Sequence, residues 1–180
     1  MAIELTEESY DSDAAAGLVA ALNAELNERY ASQVETWSPE ELAEDTKGYL
    51  AEVTPELVRA PRGAFVVARL DGEPVACGAL KPFDDAGVGE IKRMYTTPHA
   101  RRRGISRAVL AHLERRAAEL GYRRLQLETG TEQPEAISLY EAQGWVRVTP
   151  YGRYKDDPSS VCFAKDIADR RPETTIASAP

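Results

Sequence analysis

Cysteine is scarce in this 180-residue chain: only Cys77 and Cys162 occur, too few for a disulfide framework. Both are read as reduced, buried thiols of a cytoplasmic protein. No apolar run is long enough to span a bilayer. The start, Met1-Ala2-Ile3-Glu4-Leu5-Thr6-Glu7, lacks the basic and apolar stretches of a signal peptide. Histidine is limited to His99 and His112, which form no metal-ligand spacing with acids or thiols, so no metal is expected. His99 is read as lying near the basic turn described below, and His112 as a helix-surface residue. Neither a Walker loop nor a GxGxxG fingerprint is present. Basic residues are outnumbered: the formal charge is -8, which disfavours nucleic acid and anionic lipid and favours cationic partners.

What is present is ordinary globular material, 43% hydrophobic and 29% charged. Residues 1–168 read as a single domain and 169–180 as a polar, flexible tail. Ile3 and Leu5 alternate with polar neighbours, a short strand signal. Leu18, Val19, Leu22 and Leu26 lie on one face of a helix over 13–29. Ser38-Pro39-Glu40-Glu41 is a capping box with proline at the first helical position, opening a second helix that ends near residue 52. Two β-prone runs, 63–70 and 74–80, flank the tight turn Asp71-Gly72. A strand over 88–97, a helix over 104–120, a strand over 124–129, a short helix over 134–143 and strands at 145–148 and 161–167 complete the order. The fold class is therefore mixed α/β.

The most informative stretch is Pro98-His99-Ala100-Arg101-Arg102-Arg103-Gly104-Ile105-Ser106-Arg107. A strand runs into a basic, glycine-containing turn that opens an amphipathic helix. Helix N-termini offer unpaired N–H groups and a positive dipole end, and arginines add forked donors, so this turn suits phosphate. A solvated basic turn is the plain alternative.

This stretch resembles the GNAT superfamily of acyl-CoA-dependent N-acetyltransferases. Its signature [Q/R]-x-x-G-x-[G/A] stands here as Arg101-Arg102-Arg103-Gly104-Ile105-Ser106, with serine in the last place. The preceding strand, Glu90-Ile91-Lys92-Arg93-Met94-Tyr95-Thr96, is similar to the family's pantetheine-binding strand. Downstream, Ala136-Ile137-Ser138-Leu139-Tyr140-Glu141-Ala142-Gln143-Gly144-Trp145 is similar to A-x-x-L-Y-x-x-x-G-[F/W/Y]. The three blocks stand in family order over residues 63–167.

The resemblance implies a mixed, mostly antiparallel sheet of about seven strands flanked by four helices, with a bulge and splay near Met94 to Thr96. It implies that acetyl-CoA is the co-substrate, held by Met94, Tyr95, Thr96, Arg101, Arg102, Arg103, Gly104, Ile105, Ser106 and Arg107. Gln133 stands where many members carry asparagine. Tyr140 takes the position of the acid that protonates the departing sulfur, and Glu90 that of the base. A backbone N–H near Met94 polarises the carbonyl. The acceptor is an amine, expected to be a small molecule and acetylated by direct transfer in a ternary complex. The expected acceptor wall comprises Tyr30, Glu35, Tyr151 and Tyr154, with Trp37, the Asp84-Asp85 loop, Asp156 and Asp157 as further candidates. Arg153 is a candidate partner for an acceptor carboxylate. Acetylation of a protein N-terminus or lysine, and acyl-CoA sensing without catalysis, stay open. No nucleic-acid or membrane partner is expected, and the resemblance leaves a homodimer open.

Overall fold

Strand alternation decides how this chain packs. In 64–70, Val66 and Ala68 point to one side and Phe65 and Val67 to the other, and all four are buried. Such a strand needs a helix layer on each face. The computed structural model describes residues 2–83 and 87–167 and supplies both. The Asp84-Asp85 loop and the 169–180 tail lie outside these described residues.

Seven strands form one sheet: β1 (Ile3–Glu7), β2 (Ala64–Leu70), β3 (Glu73–Pro82), β4 (Val88–Thr96), β5 (Arg124–Gly130), β6 (Val146–Val148) and β7 (Ser160–Asp166). Their order is β1-β2-β3-β4-β5-β7-β6, antiparallel throughout except for the parallel pair β4–β5. The helices are α1 (Asp13–Arg29), α2 (Pro39–Ala51), α3 (Ile105–Glu119) and α4 (Pro134–Ala142), and a short 3-10 turn, Pro98–Ala100, follows β4.

One face of the sheet carries α3, whose Val109, Leu113 and Ala117 pack on Val66, Ala76, Leu80, Ile91, Leu125 and Leu127. The other face carries α1, with Ala15 and Leu18 on Phe65, Val67, Cys77 and Ala79. Each fully buried side chain of leucine or phenylalanine size contributes roughly 1.5–3 kcal/mol, so these faces hold the layers together. Ser12 caps α1, its hydroxyl accepting from Ala15 N at 3.2 Å. The predicted capping box of α2 forms: Ser38 Oγ accepts from Glu41 N at 3.2 Å, and Ser38 N donates to Glu41 Oε2 at 2.7 Å. Yet α2 buries none of its residues, so its apolar side chains remain at the surface.

Two irregularities shape the middle of the sheet. Ala79 pairs with Lys92 and Cys77 with Tyr95, so Gly78 alone faces both Arg93 and Met94. This bulge puts Arg93 at φ 55. A Cβ on Gly78 would lie 2.7 Å from Met94 Sδ and 2.8 Å from Leu113 Cδ1, which is why glycine stands there. On the opposite edge, β4 pairs with β5 only from Val88–Arg124 to Ile91–Leu127. Beyond Ile91 the two strands part, while β5 continues on β7 to the Gly130–Ser160 pair.

Candidate active site

The parting of β4 from β5 opens into a cleft of about 1680 Å³. Its floor is the β4 backbone over Lys92 to Thr96, whose β5-facing edge has no strand partner. Backbone amides and carbonyls there need partners, and an extended ligand arm can provide them. One end of the cleft is the turn into α3. Gly104 adopts φ 78 as its N-cap, and the first N–H groups of α3 have no intrahelical acceptor. Arg102, Ser106 and Arg107 line this end.

Ser106 Oγ lies 3.0 Å from Thr96 Oγ1, so the serine of the motif staples the turn to β4. Arg101 donates from Nε to the Thr96 carbonyl at 3.0 Å and pairs with Glu25 of α1. Its charge is therefore already engaged, leaving Arg102 and Arg107 as the cleft's exposed cations at this end. Ile105 is a core residue, 1% exposed, and offers only backbone. Arg103 is exposed and does not line the cleft. His99 faces Glu73 at 3.6 Å rather than the turn. His112 is half-buried between Arg115 and Glu7 and is not a plain surface residue.

Tyr140 reaches the cleft from the α3 side. It is 4% exposed, packed near Trp145 (6.0 Å between ring centroids) and Phe163 (5.8 Å). Burial raises its phenol above the usual value, so it stays protonated well past neutral pH. The hydroxyl of Thr129, at the end of β5, is buried on the same cleft without a hydrogen-bond partner. No sequence signal singled it out.

The expected base, Glu90, does not line this cleft. It is 4% exposed, held by Lys81 at 2.8 Å and Lys92 at 3.4 Å, and accepts from the Tyr151 hydroxyl at 3.3 Å. It faces a separate cavity of about 140 Å³. Glu52, Lys92 and Glu128 line both spaces and so form the partition between them. Leu125 and Leu127 pack toward α3, so Glu128 points to the opposite face of β5, just past the last β4–β5 pair. Its Oε1 accepts from Ser160 Oγ at 3.0 Å, while Oε2 stands 3.6 Å from Lys92 Nζ. Burial raises the Glu128 carboxyl against the opposing pull of Lys92 and Ser160. Burial pulls Lys92 down, but the carboxylates of Glu90, Glu52 and Glu128 prevail and its net shift is upward. Lys92 therefore stays charged and cannot be the base.

The expected acceptor residues divide. Tyr30 lines the cleft and its oxygen accepts from Gln133 Nε2 at 3.1 Å, which occupies that amide. Tyr154 lines it too, donating to Asp45 Oδ2 at 3.4 Å; burial and then the Asp45 charge push its phenol up to about 12. Tyr151 instead faces the small cavity, where burial and the Glu90 charge raise it. Glu35 is exposed and does not line the cleft, although its neighbours Val34 and Trp37 do. Arg153 is engaged by Asp45 at 3.0 Å and is not available for an acceptor carboxylate. Trp37 and Asp157 line the cleft, whereas Asp156 does not. Cys77 and Cys162 are buried and reduced; burial pushes the Cys77 thiol up to about 12, which makes it inert. Among the described residues no group of three or more His, Cys, Asp or Glu side chains is arranged to hold a metal ion, and no helix is long and apolar enough to cross a membrane.

A sequence model of the acetyltransferase (GNAT) family matches residues 20–145, from within α1 through the phosphate turn to the end of α4. The chain belongs to the GNAT acetyltransferase family. It is an acyltransferase, and its seven-stranded mixed sheet with four helices is the GNAT fold. An IAA acetyltransferase of Azospirillum brasilense is 35% identical over 136 residues, 71% of this chain and 89% of that one. The uncharacterised N-acetyltransferase YsnE of Bacillus subtilis is 39% identical over 114 residues, 62% of this chain and 75% of that one. Among solved GNAT-fold structures, the PaiA N-acetyltransferase of Thermoplasma acidophilum in complex with coenzyme A superposes with a TM-score of 0.63 at 19% identity, covering 92% of this chain and 99% of that one. At that identity the likeness is one of fold. GNAT enzymes use acetyl-CoA, and the unpaired β4 edge, the Gly104 turn and the orphaned Thr129 hydroxyl suit such a ligand.

Proposed function

We propose that this GNAT enzyme moves the acetyl group of acetyl-CoA to the primary amine of a small molecule, by direct transfer with both substrates bound. The observation that carries this reading is the pair Tyr140 and Glu128, on opposite faces of one splay in one cleft. The cleft volume, about 1680 Å³, exceeds the roughly 300–1,000 Å³ of a single small-ligand site, which supports two co-substrates side by side. Arg102, Arg107 and the N–H groups of Ser106 and its neighbours hold the phosphates, and the β4 backbone at Met94 to Thr96 holds the arm. When bound, acetyl-CoA supplies an activated thioester carbonyl.

The residues of this chain then divide the proton work. Glu128 takes the proton of the acceptor nitrogen, a role for which a half-buried, upward-shifted carboxyl is suited. Tyr140 gives its phenolic proton to the leaving sulfur as the carbon–sulfur bond breaks and the carbon–nitrogen bond forms. Glu90, pinned by two ammonium groups and facing the smaller cavity, holds Lys81 and Lys92 behind the partition. A backbone N–H beside Met94 polarises the carbonyl.

The test compares pH profiles of kcat/KM for wild type, Glu128→Gln and Glu90→Gln, after calorimetry has verified acetyl-CoA binding in each. Glu128→Gln should lose about 10²–10⁴-fold and its acidic limb. Glu90→Gln should keep that limb. The reverse pattern would return the base role to Glu90, and absence of acetyl-CoA binding in the wild type would remove the reading altogether.

A further inference from the structure

The acceptor half of the cleft has its charges engaged and its apolar side chains unengaged. Among the described residues, every carboxylate on the cleft wall already has a cation or donor beside it. Glu25 faces Arg29 and Arg101, and Glu135 faces Arg29. Asp45 faces Arg153 at 3.0 Å, and Glu52 faces Lys92 at 3.0 Å. Asp157 accepts from the Ser159 N–H at 2.7 Å, and Glu128 is bound by Ser160 near Lys92. Glu128 stands at the splay itself, where one ammonium group would deliver its proton. Among the described residues, a second or third ammonium group on the same acceptor meets only carboxylates that already face a cation or donor, with Lys92 and Arg29 each serving more than one of them.

Large apolar groups tell the opposite story. Trp37 (40% exposed), Leu42 (46%) and Leu50 (50%) line the acceptor end, and α2 buries nothing of its own. These are three of the five large hydrophobic side chains exposed among the described residues, and all three are on this one cleft. Val34, Tyr49 and Leu26 continue the same wall inward. A wall of this kind, continuous with the reacting end and apolar at Trp37, Leu42 and Leu50, suits an apolar body joined to one amine.

We propose that the acceptor is a primary monoamine with an aromatic or branched aliphatic body, seated on Trp37, Leu42 and Leu50, and that amines with several charges are disfavoured. The proposal rests on the acetyl-transfer reading above and deepens it.

The chain provides its own reporter. Its two tryptophans are Trp37, on the lip, and Trp145, 3% exposed in the core. Phenethylamine titrated into the enzyme should change tryptophan fluorescence saturably, and Trp37→Phe should abolish the change. Spermidine should leave it unmoved. In thiol-release assays phenethylamine should show a much higher kcat/KM than spermidine. Leu50→Ser and Leu42→Ser, both at exposed positions that tolerate serine, should each raise the phenethylamine KM about tenfold with little change in kcat. Calorimetric acetyl-CoA affinity should not move.

Acetylation of spermidine in preference to phenethylamine would overturn the proposal while leaving acetyl transfer intact. So would Leu50→Ser and Leu42→Ser with unchanged KM. If the same substitutions instead convert a dimer to a monomer in sedimentation at unchanged KM, the lip belongs to a second copy and the proposal is wrong. If no amine is acetylated at all, the acetyl-transfer reading falls, and the Trp37 titration alone decides whether the lip binds an apolar amine.

Discussion

Two tyrosines and two glutamates around the splay show how position, not residue type, assigns chemistry. Tyr140, buried, and Tyr151, half-buried, both have raised phenols, yet of the two only Tyr140 lines the large cleft. Tyr140→Phe should lower kcat by about 10²–10⁴-fold while leaving acetyl-CoA affinity in calorimetry close to wild type. Glu90, buried, and Glu128, half-buried, are likewise both carboxyls beside Lys92, but Lys81 makes a 2.8 Å ion pair with Glu90 alone. For Glu128, a folded-state value raised above the unfolded one means stability present below the unfolded value of 4.5 and lost as pH rises through the folded one. The ionised carboxylate is therefore a cost to the native state at neutral pH. Glu128→Gln should melt at a higher temperature than wild type at pH 7, with the advantage vanishing in acid, even as turnover falls. Equal melting temperatures at both pH values would contradict the shift.

Among the elements, the β3–β4 pair matters most to the site, because one bulge sets the course of β4. Gly78→Ala would push a Cβ against Met94, Leu113 and Val109 together. It should cost about 1–3 kcal/mol, seen as a melting temperature lowered by about 3–10 °C, and should weaken acetyl-CoA binding through the displaced Met94. This element also marks how far the sequence could be read. The phosphate turn was legible because its signals are local: three arginines, one glycine, then helix periodicity through Val109, Leu113 and Ala117. All four helices and seven strands were equally local, down to the capping box at Ser38. Glu128 was not legible, since nothing within its own strand distinguishes it from Glu90. What separates them is cross-strand: Lys81 arrives from β3, and the β4–β5 pairing stops one residue before Glu128. Glu35 misled for a related reason, since acidity beside cleft-lining Val34 and Trp37 in the sequence does not place a side chain on the cleft.

At the scale of the whole molecule, α1 bridges the cleft and is latched at its far end by charge. Arg29 donates to the Glu132 carbonyl at 2.7 Å and pairs with Glu135 at the start of α4, while Arg101 reaches back to Glu25. Half-exposed ion pairs weaken with salt, so the acceptor KM of wild type should rise with ionic strength, and Arg29→Met should raise KM at low salt and flatten that dependence. A KM indifferent to salt in both proteins would show that the latch does not shape the acceptor side. The parallel β4–β5 pair has a further consequence. Its crossover through α3, followed at once by α4, makes one continuous stretch, residues 88–145, responsible for the splay, the phosphate turn, Glu128 and Tyr140, whereas the apolar lip of Trp37, Leu42 and Leu50 comes from residues 34–50. Chemistry and taste are thus written on separate paragraphs of the same chain, and a lineage can rewrite the second while copying the first letter for letter.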